Sequence, residues 1–282
     1  MTSFRKLLRA PSPVDLSTID PRSTPGLPKK AGSDPKAWAA AKLLELAPEI
    51  AGLQERLYAA TREGDDRRRL LVVVQAMDAG GKDGLVRNVG GAFNPLGLRV
   101  TSFKAPTDEE RRHDFLWRIR AQLPPPGHVG IFNRSHYEDV LIVRVHGLVP
   151  EQTWASRYDE INAFEREIVD DGVLLVKIML YISRDEQRER LHDRLEDPTK
   201  YWKYNPADVE ERARWSDYMA AYTDALNRCA EASPWYVVPA DRKWYRNWAV
   251  ANLLREVLAA EKPEYPPPTF DLKAEKARLR RS

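Results

Sequence analysis

Apolar positions along the chain follow two rhythms. Short, nearly continuous apolar runs occur at Leu70–Val74, Leu98–Phe103, His128–Phe132, Val173–Ile182 and Trp235–Val238. Runs of this length, rich in β-branched and aromatic residues, predict strands buried on both faces. Between them, apolar residues recur at helical spacing over about 81–92, 107–122, 138–146, 151–171, 184–196, 206–232 and 242–260. An earlier helix is expected to start at Ser33-Asp34-Pro35, with proline in its first turn. Its stripe runs through Trp38, Leu43, Leu44, Leu46, Ile50, Leu53 and Leu57 to about Arg62, and Gly64-Asp65-Asp66 breaks it. Apolar strands alternating with helices predict an α/β protein with a mostly parallel sheet covered on both faces.

The ends read differently. Residues 1–34 hold many Pro, Ser and Lys residues with weak periodicity and predict an extended N-terminal arm; 35–262 form the domain; Pro263 to Pro268 close its last helix, and 263–282 are a basic tail, mobile or an oligomer contact. With 282 residues and 43% apolar content, the chain has ample length for one α/β domain. No apolar run reaches membrane-spanning length, the first residues lack a secretory apolar stretch, and the lone Cys229 fits a reducing compartment. These features predict a cytoplasmic protein without a membrane partner. The formal charge of +3 is small, yet 31% charged residues leave room for strong local fields.

In an open α/β sheet, ligands sit beyond the carboxyl ends of the strands. The first strand runs into A-M-D-A-G-G-K-D, residues 76–83. Strand, glycine turn, lysine and helix are the layout of a phosphate-binding loop: backbone N–H groups face the anion and Lys82 reaches its outer oxygens. Ala76 replaces the first glycine of that pattern, and Asp83 stands where a metal-binding hydroxyl is expected. Lys104 follows the second strand, Arg134 the third, Arg184 the fourth, and Arg242-Lys243 the fifth, so every strand end offers a cation. Five strands with this loop after the first predict a three-layer P-loop kinase fold.

Phosphoryl transfer needs positive charge around the moving group and a metal to bridge oxygens. Asp78 can hold Mg²⁺ or accept a proton, or it can cap a turn. Asp83 either takes the missing hydroxyl's place at the metal or stabilises the first helical turn. Arg134 can clamp a phosphate bidentately, with Glu138 and Asp139 next to it as metal or acceptor-positioning groups; His136 and His146 are read as hydrogen-bonding or packing residues. In RDEQRERLHDRLEDPTKYWK, Arg190 and Arg194 stack one turn apart, and Lys200 and Lys203 extend the cationic strip. This segment, within a helical lid over about 184–210, can close over a polyanion and exclude water. Phe103, Phe115 and Trp117 are candidates for a base slot.

MDAGGKDG, the KAPT–HDFLWR stretch, IFNRSHYEDVLIVRVH, RLEDPTKYWK and PWYVVPADRKWYRNWAV, in this order, resemble the polyphosphate kinase 2 family over roughly residues 35–260. The resemblance implies a fold related to thymidylate kinases and reversible, Mg²⁺-dependent transfer (Mn²⁺ as a substitute) between inorganic polyphosphate and purine nucleotides. It implies roles for Asp78, Lys82 and Arg134 in the transfer; the reading of the residues themselves puts Asp78 and Asp139 at the metal. The family's basic lid residues fall on Arg190, Arg194, Lys200 and Lys203; Gly80, Gly81, Asp83 and Lys104 are expected to bind phosphate from their own place at the strand ends. Many members carry Asp-Arg-Ser where this chain has Asn133-Arg134-Ser135, so one strand-end carboxylate is absent. The NRSHYED form resembles the subgroup that phosphorylates both AMP and ADP, with Glu138 discriminating; GMP and GDP are further acceptors to consider. A homo-oligomer, dimer or tetramer, is expected, and no nucleic-acid partner. Two other readings stay open: an ATP-dependent nucleoside monophosphate kinase, and a polyanion-binding protein whose loop is vestigial.

Overall fold

Every residue of the strand Arg69–Ala76 is buried, and the alternation of its side chains supplies two cores at once. In the computed structural model, which describes residues 3–62 and 66–282, this strand is β1. It is joined by β2 (Leu98–Ser102), β3 (Val129–Asn133), β4 (Val173–Tyr181) and β5 (Trp235–Pro239). The five strands pair in the order β2-β3-β1-β4-β5. All pairings are parallel; β1 runs in register with β4 from Arg69 opposite Val173 to Ala76 opposite Leu180.

The helices are, in chain order, α1 (Phe4–Leu7), α2 (Pro35–Ala60), α3 (Lys82–Leu85), α4 (Trp117–Arg120), α5 (Ile142–Val145) and α6 (Glu151–Asp170). There follow α7 (Arg184–Glu196), α8 (Ala207–Ala213), α9 (Trp215–Arg228), α10 (Lys243–Ala260) and α11 (Leu272–Leu279). On one sheet face Leu70, Val72 and Val74 pack against Ile50, Leu53 and Leu57 of α2 and Val250, Leu254 and Leu258 of α10. On the other, Leu71 and Val73 meet Ile161 and Phe164 of α6 and Tyr222 and Leu226 of α9. Each such fully buried side chain contributes about 1.5–3 kcal/mol. The two layers leave the carboxyl edge of the sheet open, and the charged loops lie there.

Four expectations need correction, the first being that 138–146 is a 3₁₀ turn over His136–Val140 and then α5, parted at Leu141, and not one helix. Residues 107–122 do not form one helix. Thr107 and Glu110 cap each other, the Asp114 carboxylate accepts from the Leu116 N–H, and the stretch holds a 3₁₀ turn over Glu110–Arg112 and the short α4. The stretch 206–232 is divided at Arg214 into α8 and α9. Helix 81–92 is α3 followed by a wide π turn over Val86–Gly90. The break expected at Gly64-Asp65 lies outside the described residues.

The N-terminal arm is extended, but it is docked rather than apart. Leu8 and Ala10 exchange backbone hydrogen bonds with Val237 and Trp235, which covers the free edge of β5. Phe4 and Leu8 join one core, and Val14 and Leu16 the other. Asp241, just after β5, donates its backbone N–H to the Pro21 carbonyl, so the arm also fixes one strand end. By contrast α11 has no buried residue.

Candidate active site

The turn after β1 is shaped by close approaches that exclude side chains. A Cβ on Gly80 would lie 2.6 Å from the Ala76 Cβ, so the methyl that Ala76 brings to the first loop position fits because Gly80 has none. Gly81 has φ of 99°, and a Cβ there would lie 1.9 Å from Nη1 of Arg246. Lys82 is buried, and its Nζ donates to the carbonyls of Ala76 at 2.8 Å and Met77 at 3.3 Å. Burial lowers its pKa, against the pull of Asp78. Among the described residues no carboxylate comes within ion-pair distance of that ammonium.

Arg134 enters from the end of β3 with φ of 65° and donates through Nη2 to Asp78 Oδ1 at 3.0 Å. Burial opposes its charge, but Glu138 and Asp78 outweigh that and raise its pKa. Asn133 donates through Nδ2 to Asp83 Oδ1 at 2.7 Å. The two departures from the motifs are therefore one feature. An aspartate at 133 would face Asp83 with like charge, whereas the amide donates to it.

Glu138 does not line the cavity, but it feels the charges of the loop. Burial raises its pKa, and Arg134 and Lys82 pull it down. Asp139 does not join it; its carboxylate pairs with Arg157 of α6 at 3.1 Å, and burial pushes its pKa up to about 6. As the next residue of a 3₁₀ turn it faces the other way, so its expected place at the metal is not supported by the geometry. Beneath this turn the Tyr137 hydroxyl donates to Glu165 at 2.6 Å and Lys177 Nζ to the same carboxylate at 2.5 Å, which anchors the segment carrying Glu138. His136 is buried against Glu165, and His146 pairs with Glu211 of α8 at 2.8 Å.

From α7, Arg190 reaches back under the loop. It donates to the carbonyls of Ala79 at 3.0 Å, Ala240 at 2.5 Å and Asp241 at 3.1 Å, with Glu186 on its Nε at 2.7 Å. Arg190 is thus a buried clamp joining the ends of β1 and β5, not a free lid cation. Arg194, Lys200 and Lys203 do face the opening, with Arg194 on Asp208 at 2.9 Å and Lys200 on Asp197 at 2.8 Å. Gly80, Gly81, Asp83 and Lys104 line the same cavity of about 640 Å³. Arg184 and Arg242 do not; β4 contributes Arg190 instead, and β5 contributes Lys243.

Sequence reasoning passed over Arg246, which is 2% exposed and makes no ion pair among the described residues, its only side-chain bonds being to Asn247 Oδ1. Burial lowers its pKa to about 10, and Arg190 adds to this. It lies one helical turn after Lys243, a spacing that puts both on one face. Arg87, Trp202 and Asp208 are further lining residues. Of the aromatic candidates for a base slot, Phe103 lines the cavity, whereas Trp117 is stacked on His113 at 4.2 Å and Phe115 lies under Arg157 at 5.1 Å.

A parallel sheet of this order, a glycine loop with a buried lysine and a cationic lid over one cavity define a P-loop kinase-like phosphotransferase. The family model of polyphosphate kinase 2 matches residues 34–266, and the chain belongs to that family. Among curated relatives, the AMP/ADP-polyphosphate phosphotransferase of Meiothermus ruber is 46% identical over 255 residues, 90% of this chain and 92% of that one. The ADP-polyphosphate phosphotransferase of Rhodopseudomonas palustris is 43% identical over 233 residues, 78% of this chain and 79% of that one. A crystal structure of polyphosphate kinase 2 from Arthrobacter aurescens TC1 superposes with a TM-score of 0.95 at 47% identity, covering 100% of this chain and 98% of that one.

Proposed function

We propose that the protein transfers phosphate reversibly between inorganic polyphosphate and adenine nucleotides, accepts both AMP and ADP, and works with Mg²⁺. The observation that carries this reading is the unbalanced charge of the cavity. Lys82 and Arg246 are buried there without a carboxylate partner among the described residues, beside Lys243, Lys104, Lys200 and Lys203. A buried cation without a counter-charge is costly, and a bound polyanion offsets that cost.

The nucleotide's phosphate is already ionised, so no general base is needed. Its oxygen attacks the terminal phosphorus of the polyphosphate, the bond from that phosphorus to its bridging oxygen breaks, and the shortened chain leaves with the electron pair. Lys82 and Arg134 hold the transferring group from two strand ends, and Asp78 fixes the Arg134 guanidinium. Oxygen donors suit Mg²⁺, which takes one or two carboxylates and completes its shell from phosphates and water; Mn²⁺ accepts the same donors. Asp78 would hold it, since its second carboxylate oxygen accepts no hydrogen bond among the described residues. When bound, the metal neutralises charge on the phosphate oxygens. The lone buried Cys229 fits a reducing cytoplasm.

Two outcomes test this. Arg246→Gln is expected to raise KM for polyphosphate about tenfold, the worth of one charged phosphate contact, with no loss of thermal stability because an uncompensated buried charge is removed. Unchanged KM in steady-state assays would contradict the placement of Arg246. Acceptance of AMP as well as ADP is supported by Glu138 in the NRSHYED run and by likeness to the Meiothermus ruber protein. Glu138→Asn is expected to lower kcat/KM for AMP roughly tenfold more than for ADP. Equal loss on both acceptors, with polyphosphate as sole donor, would remove the role of Glu138.

A further inference from the structure

The lid carries a carboxylate into a cavity built for anions. Asp208, in the first turn of α8, is 8% exposed and lines the cavity. Its Oδ2 accepts from Arg194 Nη1 at 2.9 Å. The same Nη1 donates to the Lys203 carbonyl at 3.0 Å, so one guanidinium gathers α7, the turn Pro198–Lys203 and α8. Of the other acids lining the cavity, Asp78 holds Arg134, Asp83 accepts from Asn133, and Asp193 on α7 has no ion pair with Arg194 among the described residues. Asp208 has no such partner on the sheet. Burial raises its pKa, Asp78 adds to this, and Arg194 and Arg134 oppose it. Its carboxylate therefore sits inside the cavity, on the guanidinium that a phosphate entering there would meet.

We propose that Asp208 is an intramolecular stand-in for phosphate: it occupies Arg194 until a polyphosphate chain takes that guanidinium over, and so sets how tightly the lid engages the chain. This rests on reading the cavity as the polyphosphate site. A polyanion that displaces a carboxylate gains one ion pair and breaks another, so its net gain at Arg194 is small while Asp208 is charged. A carboxylate that only braced the lid would have the opposite effect on removal, since a loosened lid binds less well.

The test is calorimetric titration of long-chain polyphosphate into the full chain without nucleotide, at fixed ionic strength. Asp208→Asn is expected to tighten binding about two- to fivefold, the range of a single ion pair near the surface. Asp208→Glu keeps the charge and is expected to bind as the wild type does. In an Arg194→Gln background, which itself weakens binding, Asp208→Asn is expected to have no further effect. Binding unchanged or weakened by Asp208→Asn, or a gain that persists without Arg194, overturns the proposal. Phosphate transfer to AMP by the wild type is measured separately. Transfer without this binding pattern rejects the stand-in alone, and the pattern without transfer rejects the enzymatic reading alone.

Discussion

Lys82→Ala is expected to lower polyphosphate-dependent turnover by about 10³-fold or more, the scale of removing a charge aimed at the transferring group. The ammonium lies buried at the loop, held by the carbonyls of Ala76 and Met77, and among the described residues no other cation bonds to those two carbonyls. Its loss removes a desolvated charge as well as two hydrogen bonds, so the thermal midpoint is expected to stay within about 3 °C of the wild type. A folded Lys82→Ala protein with normal turnover would refute the assignment. Burial lowers the Lys82 pKa, so as pH rises the unliganded loop loses its charge earlier than an ordinary lysine would. kcat/KM is therefore expected to fall on its alkaline side, because the charged form is the one that binds phosphate.

Asp78→Asn is expected to cost about 10²–10³-fold in turnover, since the variant weakens the Arg134 clamp and loses the carboxylate proposed for Mg²⁺. Raising Mg²⁺ concentration should recover part of the activity. Asp139→Asn provides the contrast: its carboxylate faces Arg157, so its effect on turnover should be far smaller. If both variants lost turnover equally, with equal Mg²⁺ dependence, the division of roles between the two aspartates would be wrong.

The residues that sequence patterns located are those whose place follows from strand ends. Buried strands leave long apolar runs, and Lys82, Lys104 and Arg134 follow such runs directly, so their convergence at the carboxyl edge was legible. Arg246 was not, because it is presented by the first turns of α10, and its closeness to Gly81 depends on how that helix packs on the sheet. The one available signal was its spacing from Lys243. Asp139 failed for a local reason: neighbouring residues of a 3₁₀ turn point in different directions, and composition does not say which of Glu138 and Asp139 faces inward. Arg190 lines the cavity as expected, but its clamp on the carbonyls of Ala240 and Asp241 was not legible, since these come from a distant strand end. The N-terminal arm lacks periodicity because a few side chains, Phe4, Leu8, Val14 and Leu16, plug two separate cores instead of forming one face.

The most direct measurement is phosphorus NMR of the protein with AMP, Mg²⁺ and polyphosphate as the only donor. A single cavity in which a phosphate chain and a nucleotide meet predicts ADP and then ATP, with loss of polyphosphate and none of either product in Lys82→Ala. No nucleotide product from polyphosphate, alongside ADP formation when ATP is supplied as donor, would contradict it and leave an ATP-dependent nucleoside monophosphate kinase.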